Sequence, residues 1–114
     1  MHELGIVFHM VDLLERVGKE NELTRIQRVV LDLGEVSGVL EDQLQDCWKW
    51  ASAKHDLLNG AELAVNCIPA VTVCNACGRT YGTVAHGRIC PHCESPDTVL
   101  LRGNEMEVRE VEAY

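Results

Sequence analysis

Two Cys-x2-Cys pairs, Cys74/Cys77 and Cys90/Cys93, stand twelve residues apart in the stretch CNACGRTYGTVAHGRICPHC. Each short pair can wrap two thiolates around one ion, and the loop between them returns the second pair opposite the first. Four sulfurs so arranged make a closed tetrahedral site suited to zinc, with no position left for chemistry, so the site reads as structural. Gly78 and Pro91, each beside a cysteine, supply turn chemistry for the two knuckles. The segment has too few apolar residues to fold on its own, so the metal must supply much of its folding energy. Iron in a rubredoxin-like electron-transfer module is one rival, since the Cys-Gly and Cys-Pro knuckles and Tyr81 suit it too. A disulfide or redox pair is another. A zinc-ribbon nucleic-acid binder is the third, but between Val73 and Leu101 only Arg79 and Arg88 are basic.

The rest of the chain alternates helix and strand signals. Leu4, Val7, Val11 and Leu14 recur at helical spacing, widened by Phe8 and Met10, and Gly18 and Asn21 offer stops. RIQRVVLDLG places Val29, Leu31 and Leu33 on one face of a strand against Arg28 and Asp32. LEDQLQDCWKWASAKH aligns Leu40, Leu44, Trp48 and Ala51 as a second helix. AELAVNCI alternates Leu63, Val65 and Cys67 against polar or small residues, and NEMEVREVE alternates Met106 and Val108 until the phase slips at Val111. The expectation is an α+β fold: two helices packed on a small mixed three-stranded sheet, with an inserted zinc ribbon. Residues 1–72 and 102–114 form the α/β domain, and 73–101 the ribbon. Cys47 and Cys67 are expected to be core residues.

A net charge of −8 argues against affinity for phosphate backbones. The first ten residues have no basic lead, and no apolar run approaches a membrane span. The expectation is a cytoplasmic protein with reduced or metal-bound cysteines, no membrane attachment and no nucleic-acid partner. Among the histidines, His55 is expected to cap the second helix and His9 to be partly buried. His92 is expected to point to solvent, and His86 is a candidate for approaching another metal. The start, MHE, has two readings. One is the polar lead-in to a helix. In the other, the Met1 amine, the His2 amide nitrogen and the His2 imidazole close two fused chelate rings, leaving a fourth position for Glu3 or another donor. That nitrogen-rich tetragonal geometry suits nickel(II) or copper(II).

MHE, LGEVSGV (Leu33 to Val39), the CNAC and CPHC pairs and GNEMEV resemble, in order and along the whole chain, the HypA/HybF family of hydrogenase maturation factors. The resemblance implies a nickel-binding α/β domain with an inserted zinc ribbon, and a metallochaperone rather than an enzyme. It implies nickel(II) as transient cargo at His2 and adjacent main-chain nitrogens, with Glu3 beside them. It implies structural zinc(II) on Cys74, Cys77, Cys90 and Cys93. The implied partners are the maturation GTPase HypB and the NiFe hydrogenase large subunit, and a weak homodimer is left open. In one respect the chain departs from the pattern. Some members carry a histidine just after each cysteine pair, where this chain has Arg79 and Glu94, so a link between the two metal sites would fall to His86 or His92.

Overall fold

Helix α1 (Glu3–Glu20) buries Ile6, Val7, Met10, Val11 and Leu14 along one face, as their three- to four-residue spacing requires. The structure is a computed structural model and describes residues 3–114; Met1 and His2 lie outside the described residues. Leu4 and Phe8, expected on the buried stripe, are exposed instead. At about 100° per residue they fall at the margin of the arc centred on Val7 and Leu14, and Ile6 fills the opposite margin. The helix ends in a Schellman turn: Leu23 N–H donates to Gly18 O at 2.8 Å, and Glu22 takes a left-handed φ of 53°. Gly18 therefore lies inside the helix, and a glutamate occupies the position that usually calls for glycine.

Strand β1 (Ile26–Gly34) buries Val29, Leu31 and Leu33, so the expected face is the observed one. Helix α2 (Glu41–Ser52) buries Leu44, Trp48 and Ala51. Leu40, assigned to the same stripe, is the exposed N-cap residue. His55 lies beyond the helix; its backbone N–H donates to Ser52 O at the helix end at 3.1 Å, while its ring Nδ1 is 3.1 Å from Glu15 Oε1 of α1. His9 is exposed. Strand β2 (Glu62–Ile68) buries Leu63 only; its alternation fades toward the end, and Cys67 is exposed rather than in the core. Strand β6 (Met106–Ala113) continues through the phase slip, which is therefore not a frayed end.

These strands form a sheet in the order β2-β1-β6. Opposite β2, Arg28 faces Glu62 and Asp32 faces Asn66, with numbers rising together, so that pair is parallel and needs the α2 crossover. Opposite β6, Arg28 faces Glu112 and Asp32 faces Arg109, with numbers falling, so that pair is antiparallel. The sheet is mixed, as expected. These ion pairs are half exposed and contribute little stability. Burial contributes far more: fully buried Val7, Leu14, Val29 and Leu44 are each worth about 1.5–3 kcal/mol.

The cysteine-rich stretch has a sheet of its own, which the sequence reading did not anticipate. Strands β3 (Val71–Cys74), β4 (Thr80–Gly82) and β5 (Thr98–Arg102) are ordered β4-β3-β5, both pairs antiparallel, with a short helix α3 (Thr83–His86) after β4. The chain falls into two compact units: Met1–Asp32 with Val39–Asn66 and Glu107–Tyr114, and Leu33–Gly38 with Cys67–Met106. Among the described residues, no helix is long and apolar enough to cross a membrane.

In the second unit, the backbone at Gly34 passes directly against the backbone at Gly103. Gly34 N–H donates to Glu105 O and Val36 N–H to Gly103 O, both at 2.8 Å. A Cβ built on Gly34 would lie 2.0 Å from Gly103 O, and one on Gly103 (φ +119°) would lie 2.4 Å from Ala70 Cα. Glu35 completes the junction by accepting the Ala70 amide at 2.8 Å. Only glycine fits where two backbones approach this closely. Gly34→Ala is therefore expected to lower stability by about 2–3 kcal/mol. Gly5→Ala, whose Cβ would meet nothing within 4 Å, should instead raise it by about 0.5 kcal/mol. Urea unfolding of both variants measures the difference, and equal midpoints would show that the junction tolerates a side chain.

Candidate metal centre

The two knuckles are built as copies of one turn. In the first, Cys74 N–H donates to Arg79 O at 2.9 Å, and Gly78 N–H returns to Cys74 O at 2.8 Å. In the second, Cys90 N–H donates to Ser95 O at 3.0 Å, and Glu94 N–H returns to Cys90 O at 2.8 Å. An amide inside each turn points at the leading sulfur: Cys77 N–H at 3.5 Å from Cys74 Sγ, and His92 N–H at 3.4 Å from Cys90 Sγ. The fifth position of each turn is left-handed, with φ of 77° at Gly78 and 63° at Glu94. Glycine adopts that conformation freely; a glutamate there is strained. The sequence carries the hint in Cys-x2-Cys-Gly against Cys-x2-Cys-Glu, legible once the two turns are known to be equivalent.

All four sulfurs lie within 4.8 Å of one another, with Cys74 to Cys93 at 3.5 Å and Cys77 to Cys90 at 3.7 Å. These separations are far too long for a disulfide, whose sulfurs are about 2.05 Å apart. A tetrahedron with metal–sulfur bonds of about 2.3 Å has sulfurs about 3.8 Å apart, so the donor set fits an ion of zinc's size. Cys74 and Cys90 are fully buried and pack with Tyr81, whereas Cys77 and Cys93 are exposed. Tyr81 donates to Gly87 O at 2.9 Å and so ties down the loop between the knuckles.

The sulfurs bias one another's protons. The Cys77 amide, chiefly, draws the Cys74 thiol down to about 7, against the effect of burial and with help from Cys93. At Cys93 the Ser95 amide favours the thiolate, but Cys74, burial, Cys90 and Cys77 together push the thiol up to about 12. Four thiolates cannot share so small a volume without a cation among them.

His86 is exposed, and its ring stands T-shaped to that of Tyr81, with 5.9 Å between centroids. Among the described residues only the four cysteines form a close donor group, so His86 and His92 do not join it. His92 is exposed, as expected. Of the residues expected at the amino-terminal site, Met1 and His2 lie outside the described residues. Glu3 opens α1, and its Oε2 accepts the Leu40 amide at 3.2 Å, which places a carboxylate at the head of α2.

A sequence model of the family described as hydrogenase/urease nickel incorporation, metallochaperone, HypA matches residues 1–113. The chain is 31% identical over 112 residues to a hydrogenase maturation factor HypA of Dehalococcoides mccartyi, covering 98% of this chain and 93% of the relative. It is 33% identical over 111 residues to a protein of the same name from Chlorobium limicola, covering 97% and 95%. It also resembles the solution structure of the Ni metallochaperone HypA from Helicobacter pylori, with a TM-score of 0.74 over 99% of this chain and 97% of that one. A second solution structure, of a HypA protein, gives 0.76 over 100% and 97%. At 24% identity, both likenesses show the fold alone.

Replacing Cys90 by alanine leaves three sulfurs, so amide protection in β3 to β5 is expected to fall by about 100-fold or more while α1 and β1 keep theirs. Hydrogen exchange reads this directly, and parent-like protection of the ribbon would show that no ion holds it. Metal affinity should also rise with pH through the neutral range. Cys93, held up at about 12, keeps a proton that the ion must displace, so lowering the pH strengthens the competitor. Competition against a chelator at about pH 6, 7 and 8 measures the slope; an affinity independent of pH would exclude coordination by four thiolates.

Proposed function

The chain belongs to the hydrogenase and urease nickel-incorporation family of metallochaperones, and on that footing we propose that it carries nickel(II) and delivers it during maturation of NiFe hydrogenase. The match from residue 1 to residue 113 is the observation that supports this most strongly, because it includes both the amino-terminal MHE and the cysteine pairs. The protein works by holding and handing over an ion, with no bond chemistry of its own, and it acts in the cytoplasm.

In this reading nickel is cargo, held by His2, the adjacent main-chain nitrogens including the Met1 amine, and Glu3. The position of Glu3 supports it: the carboxylate that accepts the Leu40 amide adds negative charge at the first turn of α1. A site at the very end of a chain suits transfer, since an incoming partner can replace ligands one at a time. Zinc(II) is the resident ion, held by Cys74, Cys77, Cys90 and Cys93, whose separations fit it. When bound it supplies charge neutralisation and structural closure. Functionally, residues 1–72 and 102–114 form the nickel-handling domain and 73–101 the zinc ribbon. The partners are a maturation GTPase of the HypB kind and the hydrogenase large subunit.

Nickel binding is expected to require the native amino terminus. His2→Ala removes the imidazole that closes the chelate and should abolish tight binding. A few residues placed before Met1 turn its amine into an amide, a far poorer donor, and should weaken binding by about 100-fold or more, roughly 2.7 kcal/mol. Glu3→Gln keeps an oxygen for the Leu40 amide and should weaken binding least. Zinc should remain at one ion per chain throughout. Calorimetric nickel titration with metal analysis of the untagged parent and the three variants decides this; parent-like affinity in both His2→Ala and the extended protein would reduce MHE to the lead-in of a helix.

A further inference from the structure

The two sheets treat their edges differently. Near the β2 edge of the first sheet, Trp48 Nε1–H donates to Ala61 O at 2.9 Å and Gln45 Nε2–H to Leu63 O at 2.7 Å. Side chains thus cover carbonyls that another strand would otherwise pair with. Strand β5 is an edge of the ribbon sheet. Among the described residues, Val99, Leu100 and Leu101 form no backbone hydrogen bond beyond their ladder with β3. Val99 and Leu101 are also half exposed, at 53% and 52%. An apolar strand with a bare edge is a template for another strand.

Beside this edge lies a cavity of about 530 Å³, formed within a single compact unit. Val36, Val99 and Leu100 give it apolar walls, and Thr72 and Thr83 contribute hydroxyls 2.6 Å apart. Arg88 supplies its charge. The Arg88 carbonyl is fixed by the Thr98 hydroxyl at 2.7 Å, and among the described residues its guanidinium forms no ion pair. In a chain of net charge −8, Arg88 sets a cation beside an apolar groove, and the complement of a guanidinium is a carboxylate.

We propose that the β5 edge and its cavity bind an extended segment of another protein by strand addition, with aliphatic side chains against Val36 and Leu100 and a carboxylate on Arg88. The strand edge supplies backbone pairing, the cavity selects alternate side chains, and Arg88 sets the direction of the bound segment. The site is independent of the amino-terminal metal site and stands whether or not nickel is the cargo.

The test uses the metal-replete, isotope-labelled protein and an acetylated pentapeptide of alternating valine and threonine with a free carboxyl terminus. Titration followed by amide chemical shifts should give saturable changes at Val36 and at Val99 to Leu101. The carboxamide form should bind about fivefold or more weakly. Arg88→Gln should weaken the acid peptide to a similar degree and leave the carboxamide unchanged. A peptide N-methylated at alternate backbone nitrogens should not bind. Absence of saturable shifts up to the peptide's solubility limit, shifts confined to other surfaces, or equal binding of acid and carboxamide would each overturn the proposal. So would shifts at the same amides that follow protein concentration without peptide, since a second copy would then fill the edge. If Arg88→Gln loses its metal, the acid and carboxamide comparison on the parent protein decides alone.

Discussion

The close passage of Gly34 against Gly103 is the constraint on which the arrangement of the second unit depends. The chain leaves β2 after Ile68, makes the whole ribbon excursion and returns to β6 at Met106. For that excursion to close, its two ends must come together, and they do so with backbones too near for any side chain. The hydrogen bonds from Gly34 and Val36 to Glu105 and Gly103 hold the contact, and Glu35 and Glu105 satisfy the neighbouring amides of Ala70 and Gly103. Buried backbone groups need such partners, and here two carboxylates supply what no ladder can reach. The LGEVSGV and GNEMEV stretches are thus two halves of one junction.

The metal centre rests on a different kind of economy. One turn, used twice, aims an amide at the leading sulfur of each pair and buries that sulfur, leaving the trailing one at the surface. The inner sulfurs with Tyr81 form a small core of three side chains. That is too little apolar surface to order the segment between the knuckles. The sulfurs' mutual repulsion as thiolates makes the same point from the electrostatic side. An ion both supplies the missing cohesion and removes the repulsion, so folding and metal binding here are one equilibrium.

The two sheets also show how edges are managed in a chain this small. At β2 the long side chains of α2 are spent on covering carbonyls, a use of Trp48 and Gln45 that has nothing to do with the apolar stripe alone. At β5, among the described residues, the backbone from Val99 to Leu101 is left uncovered beside a cavity that Arg88 lines. Edge strands that lack protection invite pairing, and the placement of Arg88 narrows what can pair there.

Periodicity and spacing carried much of this protein. Val29, Leu31 and Leu33 had to lie on one strand face, and the parallel β1–β2 pair had to be bridged by a helix, because side-chain direction and crossover length follow from local geometry. The Cys-x2-Cys spacing likewise sufficed for four converging sulfurs, since each turn is short enough to be determined by its own residues. Other features depended on neighbours distant in sequence. Cys67 alternates correctly for burial yet is exposed. The His55 amide bonds the last residue of α2, but its ring finds Glu15 of α1, forty residues away. Leu4 and Phe8 have apolar side chains at helical spacing, but the width of the arc that neighbouring elements cover decides which are buried. The requirement for glycine at 34 and 103 and the open edge of β5 were likewise invisible in the sequence. Each arises where two remote stretches of chain meet or fail to meet, and a local pattern carries no information about its partner across space.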